Sequence, residues 1–208
     1  MYKRFVKRAL DIVISLVGLV VAFVPMLVVA VIVKLDTPGP VFFRQRRIGL
    51  HKKEFTIIKF RTMRTDAPHE AATRDLDLDA VRFTKAQLFL RSFSLDELPQ
   101  LFNILRGHMS IIGPRPVLAS ETELIAERDK YGANDILPGL TGWAQINGRD
   151  ELTLAEKARY DGEYVERVNF LMDCKCFFLT IWCVLRRYGV VEGDGTAVEA
   201  KEKEVVNQ

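Results

Sequence analysis

The chain has 208 residues, 49% of them hydrophobic, and a formal net charge of +3, which suits one domain with a sizeable core. Its three cysteines (Cys174, Cys176, Cys183) are odd in number and lack framework spacing, which excludes a disulfide-stapled domain and reads as reduced, buried thiols in a cytoplasmic setting. Charge is spread unevenly: residues 1–64 carry 13 Lys/Arg against 3 Asp/Glu, and the remainder 17 against 24, so the basic end is suited to an anionic membrane surface or an anionic substrate held there. No aromatic-interleaved basic motif accompanies it, so nucleic acid is not the expected partner.

Lys3, Arg4, Lys7 and Arg8 precede residues 12–33, a run of 22 without a charge. That is long enough to cross a bilayer as one helix and too long for a signal peptide. Pro25 lies near its middle and removes the hydrogen bond to the carbonyl of Val21, inviting a kink. Lys34, Arg44, Arg46, Arg47, Lys52 and Lys53 then follow, so both ends of the run are basic. Because Lys and Arg favour the cytoplasmic side, a re-entrant helix-break-helix that bends at Pro25 and returns to the same face satisfies both flanks. Asp11 is costly in lipid unless paired, and Arg8 or Lys7 is its expected partner.

The turn cluster at residues 36–40 ends this element. Residues 41–46 and 55–63 read as two strands of a small β-hairpin around a loop containing Gly49. Alternation on the second strand puts Lys59 and Arg61 on one face. Residues 66–80 are polar and aperiodic, a flexible loop, and residues 82–91 look helical.

Next comes Ser94-Leu95-Asp96-Glu97-Leu98-Pro99-Gln100-Leu101. Leu98, Leu101, Phe102 and Leu105 recur at helical spacing, with Gly107 stopping the helix. Pro99 fits near the start of a helix and not inside it, so Asp96 is the preferred N-cap, although Ser94 and Glu97 also spell a capping box. Acidic residues at a helix start are favoured by the free N–H groups without any catalysis, so the pair needs company to count as a site. Pro114-Arg115-Pro116 supplies some: Pro116 pushes Arg115 toward extended backbone, and a guanidinium fork on a rigid backbone suits bidentate phosphate binding.

A helix is expected over residues 121–131. Residues 138–149 form a glycine-rich loop with a polar and basic end, Gln145 to Arg149, whose glycines allow backbone to approach a ligand closely. Thr153 and Glu156 form a capping box for a helix through Tyr160 and Tyr164. Phe170, Cys174, Phe177, Phe178, Ile181, Trp182 and Leu185 make the apolar stripe of a last amphipathic helix, one that packs on the core or lies at a lipid interface. The polar tail from residue 192 reads as disordered.

Taken together, the Pro-broken apolar run, Lys59-Phe60-Arg61-Thr62-Met63, the Ser94–Leu101 octapeptide, Gly113-Pro114-Arg115-Pro116 and Gly139-Leu140-Thr141-Gly142-Trp143-Ala144-Gln145 occur in one order that resembles the bacterial sugar transferases. These are monotopic polyprenyl-phosphate phosphoglycosyl transferases, and the likeness is to their small form. It covers nearly the whole chain. Val24-Pro25 stands where the family commonly has Ser-Pro, and His108 where an acidic residue is usual.

The resemblance implies an α+β, mainly helical fold. Residues 1–36 would be the membrane-inserted hairpin, 37–191 the catalytic domain with amphipathic interfacial helices, and 192–208 a flexible tail. It implies transfer of a phospho-sugar from a UDP-sugar to polyprenyl (undecaprenyl) phosphate, release of UMP, Mg²⁺, and a place on the cytoplasmic face of the bacterial inner membrane, among its lipids. Asp96 would be the nucleophile and, with Glu97, a metal ligand. Pro114, Arg115 and Pro116 would shape the nucleotide-sugar site, and Lys59, Arg61, Arg91, Gln145 and Arg149 are further substrate-binding candidates. A homo-oligomer stays open. The residues alone also allow a membrane-anchored metal-dependent phosphohydrolase or a membrane-surface adaptor without activity.

Overall fold

A computed structural model describes residues 2–63, 83–148 and 151–186 of the chain. The expected loop at 66–80, the tail at 192–208 and Arg149 lie outside the described residues. Helices dominate. A single turn of π-helix, Tyr2–Val6, leads into α1 (Lys7–Asp36). A hairpin of β1 (Phe42–Ile48) and β2 (Glu54–Phe60) follows, antiparallel, with Phe42 opposite Phe60 and Ile48 opposite Glu54. Next come α2 (Lys85–Ser92) and α3 (Gln100–Leu105), then β3 (Ser110–Ile112), α4 (Thr122–Asp129), β4 (Gly139–Thr141) and α5 (Trp143–Ile146). The chain's described part closes with α6 (Leu154–Arg167) and α7 (Phe170–Arg186).

The apolar run forms one continuous helix through Pro25, where a break was expected. Proline removes one hydrogen bond, and a helix held by packing on both sides of that point can carry the loss. Asp11, Ser15, Val29 and Val33 are its buried residues. At 100° per residue these positions share one stripe, so α1 docks along the domain and does not project from it. Ile14 and Leu19 pack against the main core of Ile57, Leu101, Ile104, Met109, Ile111, Ile112 and Tyr164. Val29 and Val33 sit in a second cluster with Phe60 and Leu90. The docked stretch from residue 11 to 33 is about 33 Å long at 1.5 Å per residue.

Asp11 does not pair directly with Arg8 or Lys7. Its Oδ1 accepts from the Ser110 hydroxyl and the Ile111 N–H, both at 2.9 Å. Arg8 instead donates to the carbonyls of Ile104 and Leu105 at 2.6 and 3.0 Å, satisfying the end of α3. Lys7 pairs with Asp173 of α7 at 2.7 Å. These long-range partners, all inside the protein, let charged residues sit beside an apolar helix.

The other side of α1 is bare. Val20, Val21, Phe23, Val24, Leu27, Val31 and Leu35 are exposed, Leu35 at 81%. On α7, Met172 and Cys176 are buried while Leu171, Phe178, Ile181, Trp182 and Leu185 are exposed, so most of its expected apolar stripe faces outward. Apolar surface on this scale exceeds what a soluble monomer leaves to water. α1 is long and apolar enough to cross a membrane, and this bare surface suits association with one.

Candidate active site

Ser94 adopts a left-handed conformation (φ 53°) at the end of α2, and a short 3₁₀ turn, Leu95–Glu97, follows. Asp96 and Glu97 therefore ride on this turn. The expected cap at Asp96 and the capping box at Ser94 are not formed: Ser94 makes no cap hydrogen bond, and α3 starts only after Pro99, which stands at its N-cap position. Proline suits that place because its missing N–H has no intrahelical partner. A left-handed serine costs about 1 kcal/mol, a strain the packing around the turn must offset.

Asn103 of α3 sets the turn against the hairpin. Its side-chain amide donates to the Thr56 carbonyl at 2.7 Å and accepts from the Ile58 N–H at 3.1 Å, so it covers the free edge of β2. One residue further along β2, the Lys59 ammonium reaches Glu97 Oε1 at 2.7 Å. Arg115 Nη2 reaches the same oxygen at 3.0 Å from the loop after β3. Asp96 and Glu97 are 7% and 8% exposed, whereas the Arg115 side chain is 38% exposed and opens the cluster to solvent.

Burial raises the Asp96 carboxyl above the ordinary carboxylate range; the Lys59 charge opposes this, Glu97 adds to it, and Arg91 and Arg115 pull it back down. Lys59 is lowered, chiefly by burial, with Glu97 opposing. Arg47, at the end of β1, is pushed down to about 10 by burial and then by the Arg115 charge. Sequence reasoning counted Arg47 only as part of a basic flank. Here it donates to Gln45 and to the Pro116 carbonyl, at 3.3 Å for the latter, and lies 3.8 Å from Glu121.

Lys59, Asp96, Glu97 and Arg115 are thus brought together, and Arg91 acts on Asp96 through its charge while its guanidinium lies over the Phe83 ring at 5.0 Å. Arg61 is not part of the cluster. β2 ends at Phe60, so the alternation expected to align Arg61 with Lys59 does not reach it. The Arg61 guanidinium is buried and donates to the carbonyls of Val33, Thr37 and Pro38 at the end of α1. Gln145 bonds the Leu140 carbonyl of its own loop at 3.1 Å.

The glycine-rich loop is pressed against protein backbone. β3 and β4 pair in parallel, Ser110 with Gly139 and Ile112 with Thr141. The Gly113 N–H donates to the Thr141 carbonyl and Gly139 N–H to that of Pro114, both at 2.8 Å. A Cβ on Gly113 would lie 2.4 Å from the Leu137 carbonyl oxygen, so only glycine permits this approach. The same close approach to the Gly113 backbone accounts for Gly139 and Gly142, and it seats Pro114 and Arg115.

A divalent cation fits this site by its donor set. Among the described residues no donor bonds the Asp96 carboxylate, and no group of three or more His, Cys, Asp or Glu is gathered anywhere. A buried carboxylate pair without further protein ligands is what Mg²⁺ uses when phosphate oxygens and water complete its shell.

A family model described as bacterial sugar transferase matches residues 2–187. An uncharacterized sugar transferase, EpsL of Bacillus subtilis (strain 168), is 38% identical over 193 residues, covering 93% of this chain and 94% of that protein. A UDP-glucose:undecaprenyl-phosphate glucose-1-phosphate transferase of Xanthomonas campestris pv. campestris is 40% identical over 186 residues, 86% of this chain but only 38% of that protein. A UDP-N-acetylgalactosamine-undecaprenyl-phosphate N-acetylgalactosaminephosphotransferase of Aeromonas hydrophila is 34% identical over 193 residues, covering 89% of this chain and 45% of that protein.

Proposed function

Because the chain belongs to the bacterial sugar transferase family, we propose that it moves a phospho-sugar from a UDP-sugar onto undecaprenyl phosphate or a similar polyprenyl phosphate, releasing UMP. The observation that carries this reading is the meeting of Asp96 and Glu97 with Lys59 and Arg115 in one half-open cluster. A carboxylate approaching a diphosphate meets like charge, and a site for that chemistry needs cations aimed at the phosphates. The relatives' names, which join UDP-sugars to undecaprenyl phosphate, support the substrate pair.

In the first half-reaction an Asp96 oxygen attacks the phosphorus that bears the sugar. The new Asp96 O–P bond forms as the bond from that phosphorus to the UMP oxygen breaks, and UMP leaves with the electron pair. In the second, a polyprenyl-phosphate oxygen attacks the same phosphorus and the Asp96 carboxylate is released unchanged. Arg115 takes the substrate's phosphates, being the exposed cation of the cluster. Lys59 holds Glu97 from the buried side, and its charge offsets the repulsion that Glu97 exerts on Asp96. Mg²⁺ held by Asp96 and Glu97 would neutralise phosphate charge and the departing UMP.

The docking of α1 supports a membrane seating. Its first half docks on β3 and α3 and its second half on β2 and α2, so both ends belong to the same side of the domain. We place that side in the cytoplasm, with the exposed faces of α1 and α7 embedded shallowly in one leaflet, where a polyprenyl phosphate keeps its head. Cysteines placed at the exposed basic flanks, Lys3 and Lys34, in a chain cleared of its own three, should both react with an impermeant maleimide on inside-out vesicles and neither on right-side-out ones. Labelling of the two from opposite sides would show a crossing helix.

The reaction itself is tested by UMP release from a panel of UDP-sugars, with and without polyprenyl phosphate. Sustained release that requires the acceptor is the expected result. Sustained release without acceptor would make the protein a phosphohydrolase, and no release from any sugar would leave an adaptor. The panel must include glucose and N-acetylated sugars, since relatives carry both names.

A further inference from the structure

We propose that Arg128 and Asp161, a buried ion pair joining α4 to α6, are positioning residues that aim Arg115 at the site. The inference rests on the reading of Arg115 as the cation that takes the substrate's phosphates.

The two side chains are out of water, Arg128 at 5% and Asp161 at 1% exposure. Arg128 Nε and Nη2 reach Asp161 Oδ2 at 2.8 and 2.6 Å. Its remaining amine, Nη1, donates to the main-chain carbonyl of Arg115 at 3.0 Å. A guanidinium can do both because its five donors point in fixed, different directions. Among the described residues neither of the two bonds to Asp96 or Glu97, so their effect on the site runs through Arg115.

The position they hold is one that proline leaves unfinished. Pro114 and Pro116 fix their own φ angles, and Pro116 keeps Arg115 extended. The direction of the Arg115 carbonyl is still free to swing, and it departs from the same Cα as the side chain. Tying that oxygen to Arg128 therefore sets the Cα–Cβ direction along which the guanidinium extends to Glu97. Arg47, half-buried, does the neighbouring task at the Pro116 carbonyl, so two arginines clamp successive carbonyls of the loop.

Stability alone is a poor reason for such a pair. Burying two charges sacrifices their hydration, and apolar residues of similar volume often serve a fold as well or better. What an apolar pair cannot do is donate a hydrogen bond to the Arg115 carbonyl.

That difference gives the test. The double substitution Arg128→Met/Asp161→Leu removes both charges together and keeps the volume, so the full-length protein in detergent should melt within about 3 °C of the wild type. Its KM for the UDP-sugar should rise about tenfold, the size of one misdirected phosphate contact, while kcat changes less than about threefold. Added to Arg115→Met, the same pair of changes should raise KM no further, because its route of action is already gone. An unchanged KM in the folded variant, or losses that multiply with Arg115→Met, would overturn the proposal.

Arg128→Lys is the second arm. One ammonium cannot span both the carboxylate and the carbonyl, so the same non-additive rise is expected. Unfolding of both variants would make the pair structural and also overturn the idea. If the wild type releases no UMP from any UDP-sugar, the reading of the reaction fails separately, and the same cycle run on the Kd for uridine diphosphate decides the positioning role.

Discussion

Asp96→Asn is expected to lower turnover by about a thousandfold or more while raising the melting temperature at neutral pH. The loss follows from the chemistry: an amide oxygen neither forms the covalent bond to phosphorus nor leaves as a carboxylate, and removing a nucleophile costs more than removing any one binding contact. The gain follows from the fold. The Asp96 carboxyl is held above its ordinary value, mainly by burial against the opposing pull of Lys59. A folded value above the unfolded one means the folded state holds the proton more tightly. That contribution to stability is complete below about pH 3.9, where both states are protonated, and is lost as pH rises through the raised folded value. An amide does not titrate. The melting advantage of Asp96→Asn should accordingly be absent near pH 4 and grow toward pH 7, in scans without divalent cation. Full turnover by the variant would remove Asp96 from the role of nucleophile, and an advantage independent of pH would remove the electrostatic account of its strain.

Arg61→Met should do the opposite: cost stability and spare substrate affinity. The guanidinium is 4% exposed and serves three carbonyls at the point where α1 ends and the chain turns toward β1. Without it those oxygens face a buried apolar side chain, and charged hydrogen bonds of this kind are worth about 1.5–3 kcal/mol each, not additively. A net loss of about 3 kcal/mol corresponds to a fall of about 6–12 °C in a domain of this size. KM for the UDP-sugar should stay within about twofold of the wild type in the molecules that remain folded. A large rise in KM with an unchanged melting temperature would return Arg61 to the list of phosphate ligands.

The difference between Arg61 and Lys59 shows where reading by residue pattern succeeds and where it stops. Alternation places side chains only while a strand lasts, and β2 stops at Phe60, between the two cations. Asp96, Glu97 and Arg115 could be found because their motifs are contiguous and carry their own chemistry. The capping box at Thr153 and Glu156 formed as expected for the same reason, since its partners are three residues apart. Other contacts had no local signal. Asp11 Oδ1 is bonded by Ser110 and Ile111, Asn103 by β2, and Arg128 by Asp161, partners separated by 33 to 100 residues. The glycines of residues 138–149 announced a close approach, but not that at 139 and 142 the approaching group is the backbone of Gly113. Ser94 is a further surprise, a non-glycine residue in a left-handed conformation two positions before Asp96. Nothing in its side chain or its neighbours' spacing marked it.

The amide of Asn103 also bears on how the protein shares its surroundings. A two-stranded ribbon ordinarily leaves rows of unmatched N–H and C=O groups on which a passing chain can zip. Along β2 that template is occupied at Thr56 and Ile58, so a would-be neighbour must first dislodge a side chain anchored in the core. Proteins confined to a sheet of lipid meet one another far more often than proteins in bulk water. For such a population, a blocked seam keeps frequent collisions from turning into fibres.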